Sequence, residues 1–396
     1  MIIHPVFEEK LQPLIKQEKY YIVTTENCRL KNNGYLPQIQ INRGGMILYT
    51  SGTTSKPKGV VLTHKNIQFQ ITTLIKAWGW SKDDHILHIL PLHHTHGIIN
   101  ALSCALWSGA VCEMLPKFNP QEVWERFIQG NITVFMAVPT IYFRLMSAWD
   151  EASGEEQKKM SEAASKIRLM VSGSAALPVQ TFEKWEKITG QRLLERYGMT
   201  EIGMALSNPL SGERKPGFVG VPLPGVTARL VNENNEKITS ERISGEIQIK
   251  GNNVFKEYWE KPEATKGAFK EDWFCTGDTA VVENGYYKIL GRNSVDIIKT
   301  GGYKVSALEI EEVLRSHPSI KECAVVGIKD PEWGERVAAA IALSSGNSLR
   351  LEDLRGWAKD QLAVYKIPSR LLILEELPRN VMGKVTKHKI TQLFKS

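Results

Sequence analysis

Apolar and polar positions alternate along residues 85 to 138 with a regular rhythm. An apolar run from His85 to Leu90 is followed by a helical face of Ile98, Leu102, Ala105 and Leu106. Then come an apolar run from Ala110 to Leu115, a helix from Asn119 to Gln129 and a third apolar run from Ile132 to Val138. This pattern predicts a βαβαβ series, the building unit of a parallel sheet covered by helices on both faces. Asn119 is placed to cap its helix, with Pro120 at the first helical position, Glu122 completing a capping box and Gly130 just past the end. A further strand over Arg168 to Val171 leads into Ser172-Gly173-Ser174 and a helix from Pro178 to Thr189 closed by Gly190. Ligand loops in such sheets lie at the carboxyl ends of strands.

From Gly217 to about Leu290 the pattern changes to short strands between frequent turns, including Pro222-Leu-Pro-Gly225, Asn232-Glu-Asn-Asn235 and Glu283-Asn-Gly285. That stretch predicts a small β-rich, barrel-like subdomain. After Gly291-Arg292-Asn293-Ser294, a capping box of Ser306 and Glu309 opens a helix ending near His317-Pro318, and Cys323 to Ile328 reads as a strand. A compact α+β domain of roughly a hundred residues is expected there.

At 396 residues with 42% hydrophobic and 23% charged positions, the chain has an ordinary globular balance and room for two or three domains. Ile98 to Leu115, its longest apolar stretch, is interrupted by Asn100, Ser103, Ser108 and Glu113, so no membrane span is expected. Five cysteines, odd in number and without C-x-x-C spacing, argue against a disulfide framework. The net charge of +7 is spread along the chain, which suits anionic small molecules better than a nucleic-acid surface. Residues following Met1 show neither signal-peptide nor transit-peptide character, so no targeting segment is expected in the chain as it stands.

The candidate chemistry begins with Tyr49-Thr50-Ser51-Gly52-Thr53-Thr54-Ser55-Lys56-Pro57-Lys58-Gly59-Val60-Val61. Met46 to Tyr49 reads as a short buried strand. Gly52 and Gly59 free the backbone to turn N–H groups toward an anion, while hydroxyls and lysines add donors and charge. A P-loop is excluded, because Pro57 stands five positions after Gly52 where that motif needs Gly. Farther on, Tyr197 offers a face for an adenine, Thr200 a hydroxyl for an α-phosphate, and Glu201 a carboxylate for Mg²⁺. Asp278 suits ribose hydroxyls, Arg292 is a planar cation for ribose or phosphate, and Lys384 stands on a Gly-containing turn. The histidines from His93 to His96, with His85 and His88, raise a metal reading, but no Cys or carboxylate completes a ligand set.

Together these segments resemble the AMP-forming acyl-CoA synthetase, luciferase and peptide-synthetase adenylation superfamily, in the family's order from Tyr49 to Lys384. The resemblance implies a two-step reaction in which ATP and a carboxylate give an acyl adenylate and pyrophosphate, and a thiol then displaces AMP. It implies phosphate contacts from Thr50, Ser51, Gly52, Thr53, Thr54 and Lys58, and adenine or ribose contacts from Gly173, Ser174, Tyr197, Asp278 and Arg292. Thr200 would touch the α-phosphate, Glu201 the Mg²⁺, and Lys384 the reacting oxygens. It implies a large α/β N-terminal domain over 1–292 with the β-rich part at 217–290, a hinge at 293–294, and a small mobile α+β domain over 295–396 that presents Gly301-Gly302-Tyr303 to coenzyme A. Ser294, where many relatives carry Asp or Lys, departs from the pattern, as does Ser55 in place of a Gly.

Longer matches at 136–142, 169–178, 193–207 and 294–309 resemble the malonyl-CoA and methylmalonyl-CoA synthetases of that superfamily, including animal mitochondrial members. They imply malonate or methylmalonate as substrate and a mitochondrial setting, with a cytoplasmic one as the alternative; oligomeric state is left open. A second carboxylate buried without a partner would cost several kcal/mol, so the acid pocket needs a cation or strong donors. Arg144 is the first candidate, with Ser174, His94 and Met204 shaping the rest. Relatives carry a further large piece before the phosphate loop, where this chain has 48 residues, so the first subdomain is expected to be partly missing. An incomplete ligase and a non-catalytic short form that keeps nucleotide binding both remain open.

Overall fold

The computed structural model describes residues 2–3, 23–24, 38–50, 57–379 and 385–394. Residues Met1–Gln40 form one unit, in which Ile2–Ile3 pairs in parallel with Val23–Thr24. Ile41–Ser396 form the other, and everything below concerns it.

Its largest sheet has seven strands in the order Val221–Pro222, Gly203–Ser207, Leu194–Met199, Leu169–Ser172, Val134–Ala137, His85–His88, Val111–Met114. The last five are parallel, as the alternating pattern predicts, whereas Gly203–Ser207 pairs antiparallel with both of its neighbours, so the sheet is mixed. Val134–Ala137 and Leu169–Ser172 are buried at every position, as strands covered on both faces require. Successive side chains point to opposite faces. Thus Val134, Met136 and Val171 join a core with Trp78 of the His64–Trp78 helix. Phe135 and Met170 join a second core with Trp124, Tyr142 and Trp185 from helices Pro120–Ile128, Pro139–Glu151 and Val179–Thr189.

Three local expectations are corrected here. A strand does cover Met46 to Tyr49, as Gly44–Thr50, but Ile47 and Tyr49 are exposed because it is the edge of a three-stranded sheet. The buried member is Lys58–Thr63, paired on one side with Gly44–Thr50 and on the other with Glu257–Tyr258. The face drawn through Ile98, Leu102, Ala105 and Leu106 also fails, because His96–Ser103 is a π-helix continued by the Cys104–Ser108 α-helix. Its wider turn rotates the sequence, burying Ile99, Ala101, Cys104 and Ala105 and leaving Leu106 exposed. Asn119 caps its helix by accepting from Glu122 N at 3.1 Å, and Ser306 does the same for Glu309 N, also at 3.1 Å. The reciprocal carboxylate bonds are not made: Glu122 lies 3.9 Å from Arg126, and Glu309 pairs with Lys366 at 2.6 Å.

The β-rich part is a six-stranded antiparallel sheet built on Val226–Val231, Gly245–Gly251, Trp273–Glu283 and Tyr286–Arg292. Asn284 and Gly285 join the last two in a two-residue turn with φ of 50° and 77°, the left-handed geometry that matches strand twist. Beyond it, Gly334–Leu343 is the central strand of a five-stranded sheet, paired along its length with Ile320–Asp330 and accompanied by the Ala307–Leu314, Leu351–Ala358 and Lys387–Leu393 helices. Among the described residues, no helix is long and apolar enough to cross a membrane.

Candidate nucleotide and acid site

Strand register brings the first set of site residues together. Asp278 lies directly opposite Arg292 in the ladder, and the Arg292 Nε donates to Asp278 Oδ1 at 2.9 Å. Tyr197, on the neighbouring domain's Leu194–Met199 strand, donates its hydroxyl to Asp278 Oδ2 at 2.7 Å. Burial alone would lower the Arg292 pKa, but the Asp278 hydrogen bond and charge outweigh it and raise the guanidinium above its ordinary value. Tyr197 is pushed well up, first by burial and then by the Asp278 charge. A carboxylate has about four lone-pair positions, so Asp278 keeps capacity for ribose hydroxyls.

Glu201 stands beside this group. Burial raises its pKa, opposed by the Tyr258 hydroxyl, which donates to Glu201 Oε1 at 2.9 Å, and by the charges of Arg292 and Lys58. The Lys58 ammonium lies over the Tyr258 ring, 4.8 Å from its centroid. Among the described residues no three His, Cys, Asp or Glu side chains stand close enough to hold a metal by themselves. A lone buried carboxylate fits the way Mg²⁺ is commonly held, by one or two carboxylates with phosphate oxygens and water. Thr200 is half-buried one residue earlier, and Thr50 Oγ1 donates to Lys58 O at 3.5 Å. Ser51, Gly52, Thr53, Thr54, Ser55 and Lys384 lie outside the described residues; Arg379 and Val385, on either side of Lys384, pair across an antiparallel bridge.

A second set gathers at the carboxyl end of the Leu169–Ser172 strand. Ser174 adopts a left-handed φ of 70°, a conformation that costs a non-glycine residue about 1 kcal/mol or more and recurs at ligand sites. Its hydroxyl accepts from Arg196 Nη2 at 3.2 Å and lies 3.3 Å from His96 Nδ1. Arg196 is 4% exposed, and its Nε has no partner among the described residues. Burial lowers its pKa to about 9, so the guanidinium stays charged at neutral pH. Gly173 is dictated by this neighbour, since a Cβ there would lie 2.4 Å from the Arg196 guanidinium carbon. His96 is pushed well down, by burial first and then by the charges of Arg196, His88 and His94, and is therefore neutral. Met204 is buried beside Gly198; its N–H donates to Gln70 Oε1 at 2.7 Å, and Asn253 donates to Ile202 O at 2.7 Å, which fixes this strand. His94 is half-buried, with its ring 4.3 Å from that of His93.

Arg144 is not brought to this set. It is exposed on the Pro139–Glu151 helix, with its guanidinium over the Phe118 ring at 4.9 Å. The cation beside Ser174 is Arg196, which the motif reading passed over, although two ionisable residues in the apolar run Leu193-Leu194-Glu195-Arg196 were a signal. His96 and Tyr258 were also missed. Only the π-helix separates His96 from its neighbours in the histidine run, and no short pattern marked Tyr258. Gly301 and Gly302, with φ of 54° and 82°, form the hairpin turn between Ile297–Thr300 and Tyr303–Ser306, and Gly301 lies against Trp333. Across the proposed hinge, Asn293 N donates to Gly277 O at 2.8 Å and Asp296 N to Arg292 O at 2.7 Å. The C-terminal part also meets the sheet domain where Glu312 accepts from Val179 N at 2.8 Å.

A mixed α/β sheet and an antiparallel β-rich sheet meeting at a tyrosine-aspartate-arginine corner, followed by a small α+β part, have the architecture of the adenylating-enzyme fold. The AMP-binding enzyme family matches residues 10–259 and the AMP-binding enzyme C-terminal domain matches residues 309–384, and the chain belongs to this family. It is 53% identical to the mitochondrial malonate–CoA ligase of Bos taurus, over 89% of this chain and 64% of that protein. It is 50% identical to the malonate–CoA ligase of Arabidopsis thaliana, over 87% of this chain and 60% of that one. The chain thus spans less than two thirds of these relatives' length. Among solved structures, ATP-bound MatB from Rhodopseudomonas palustris superposes with a TM-score of 0.90 at 34% identity, covering 100% of this chain and 79% of MatB. A malonyl-CoA ligase product complex with methylmalonyl-CoA and AMP gives a TM-score of 0.66 at 36% identity, covering 96% and 80%.

Proposed function

We propose that the chain serves an ATP-dependent, AMP-forming ligase that activates malonate or methylmalonate as an acyl adenylate and transfers the acyl group to coenzyme A. The observation that carries this reading is Arg196: a buried guanidinium beside Ser174, with neither a carboxylate nor an Nε partner among the described residues. A dicarboxylic acid supplies the missing anion through its distal carboxylate, which matches the guanidinium fork. The adjacent Tyr197 belongs to the nucleotide corner, so the reacting carboxylate of the same acid faces the α-phosphate. The malonate–CoA ligases among the relatives support the choice of acid, and the mitochondrial members among them support a mitochondrial setting.

In the first step a carboxylate oxygen attacks the α-phosphorus and pyrophosphate leaves; in the second the coenzyme A thiol attacks the acyl carbon and AMP leaves. Bringing two anions together makes charge compensation the main task of the site. Asp278 and Arg292 orient the ribose, Thr200 and Lys58 contact phosphate oxygens, and Lys384 offsets the charge developing during attack. Glu201 would hold Mg²⁺, which neutralises phosphate charge when bound. Ser174, His96 and Met204 bound the acid and exclude water around Arg196.

Pyrophosphate exchange into ATP with malonate, followed by mass detection of malonyl-CoA, tests the proposal. Exchange with malonate well above that with acetate is expected. ATP binding without exchange would instead mark a nucleotide-binding chain that does not catalyse.

A further inference from the structure

Tyr258 touches both sides of the phosphate region. Its hydroxyl donates to Glu201 Oε1 at 2.9 Å, and its ring lies beneath the Lys58 ammonium at 4.8 Å. The ring is held firmly. Tyr258 pairs with Val60 in the three-stranded sheet, its N–H donates to Thr265 Oγ1 at 2.9 Å, and Phe255 packs against it with centroids 4.7 Å apart. The same segment is bound to Glu201 a second time, through Phe255 N donating to Glu201 O at 2.7 Å. Glu201 has no ion pair among the described residues, so its carboxylate is oriented by this hydroxyl together with its own backbone N–H.

We propose that Tyr258 is a shared positioning residue: its hydroxyl orients Glu201 for the metal, and its ring holds Lys58 for the nucleotide phosphates. With Oε1 engaged by Tyr258, Glu201 presents Oε2 as a single-oxygen ligand, leaving the remaining metal positions to phosphate and water. The ring restrains a long lysine side chain whose rotamer freedom would otherwise be lost only on binding, and attracts its charge through the π face. Glu201 and Lys58 are thereby set by one side chain, which is itself anchored by the backbone pairing of Tyr258 with Val60.

This inference rests on the reading of Glu201 as the metal carboxylate, and two substitutions separate its halves. Tyr258→Phe removes the hydroxyl and keeps the ring; Tyr258→Leu removes both. Mn²⁺ binding to the ATP complex, followed by electron paramagnetic resonance, should weaken about tenfold in Tyr258→Phe, the usual scale for losing a ligand's hydrogen-bond partner. ATP binding without metal, measured by calorimetry in EDTA, should stay within about twofold of wild type in Tyr258→Phe and weaken severalfold further in Tyr258→Leu. Combining Glu201→Gln with Tyr258→Phe should add little to the metal loss of Glu201→Gln alone. Unchanged Mn²⁺ binding in Tyr258→Phe overturns the first half, and equal metal-free ATP binding in the two variants overturns the second. A wild-type chain that binds Mn²⁺ with ATP yet makes no malonyl thioester would fail the ligase reading while leaving this comparison decisive for Tyr258.

Discussion

Two arginines near the same strand end have opposite electrostatic fates. Arg292 is paired with Asp278 at 2.9 Å, and its pKa is raised despite burial. Arg196, one residue from Tyr197, is more deeply buried, has a serine hydroxyl as its partner, and is lowered to about 9. Removing a guanidinium from water without a counter-charge is costly, and proteins keep such a charge where a ligand completes it. The paired arginine is thus part of a pre-organised nucleotide corner. In the function proposed above, the unpaired one is a half-built ion pair whose other half is the acid's distal carboxylate. The difference teaches that a buried cation left without a counter-charge among the described residues is the one a ligand anion can complete.

Arg196→Met should break the comparison most severely. Malonate-dependent exchange should fall about a thousandfold in kcat/KM, because a buried polar recognition group rejects or loses its ligand on that scale, while exchange with a short monocarboxylate falls far less. Equal loss with both acids would show that Arg196 supports the fold and not the choice of acid. Asp278→Asn should come next: with the carboxylate charge gone, Arg292 and Tyr197 lose their common partner, and the KM for ATP should rise roughly tenfold to a hundredfold with the malonate KM little changed. A parallel rise in both would couple the two corners.

Glu195 sharpens the contrast from the other direction. It neighbours Arg196 in sequence but points elsewhere, accepting from Gly217 N at 3.1 Å, and burial pushes its carboxyl up to about 8 from an ordinary 4.5. The folded protein therefore holds a proton that the unfolded chain releases. Its contribution to stability is complete below about pH 4.5 and is lost as pH rises through about 8, on the order of a few kcal/mol. Glu195→Gln keeps the acceptor and should flatten the decline of Tm across that window; an unchanged slope would place the titration elsewhere. The smallest effect is expected from Arg144→Met. Arg144 is exposed over Phe118 and away from the Ser174–Arg196 group, so acid selectivity should stay within about twofold while stability falls by about 0.5–1 kcal/mol. A marked shift toward monocarboxylates would restore Arg144 to the pocket.

Much of the architecture was legible because it rests on local rules. The alternation from His85 to Val138 became parallel strands and helices, Asn119 opened one helix and Gly190 closed another where expected, and Asn284-Gly285 made a hairpin turn. Tyr197, Asp278 and Arg292 were named from their chemistry, and the structure joins them through a register that pairs strands 14 residues apart. The histidine run was less legible, since a π-helix follows from packing and not from any local preference that the residues announce. Arg196 was not named from the sequence for a related reason. Sequence spacing shows that a cation is available, but not which one is stripped of water.

The sequence by itself determined the family, the order of its parts and the chemical kinds of its site residues, because motifs, caps and periodicity act over a few neighbouring positions. Tertiary structure decided which of those residues share an environment. Arg196, 22 positions from Ser174, and Tyr258, 57 positions from Glu201, acquire their roles through strand packing. Burial, and with it the cost of an unpaired charge, is a property of the folded core and not of any segment of the chain.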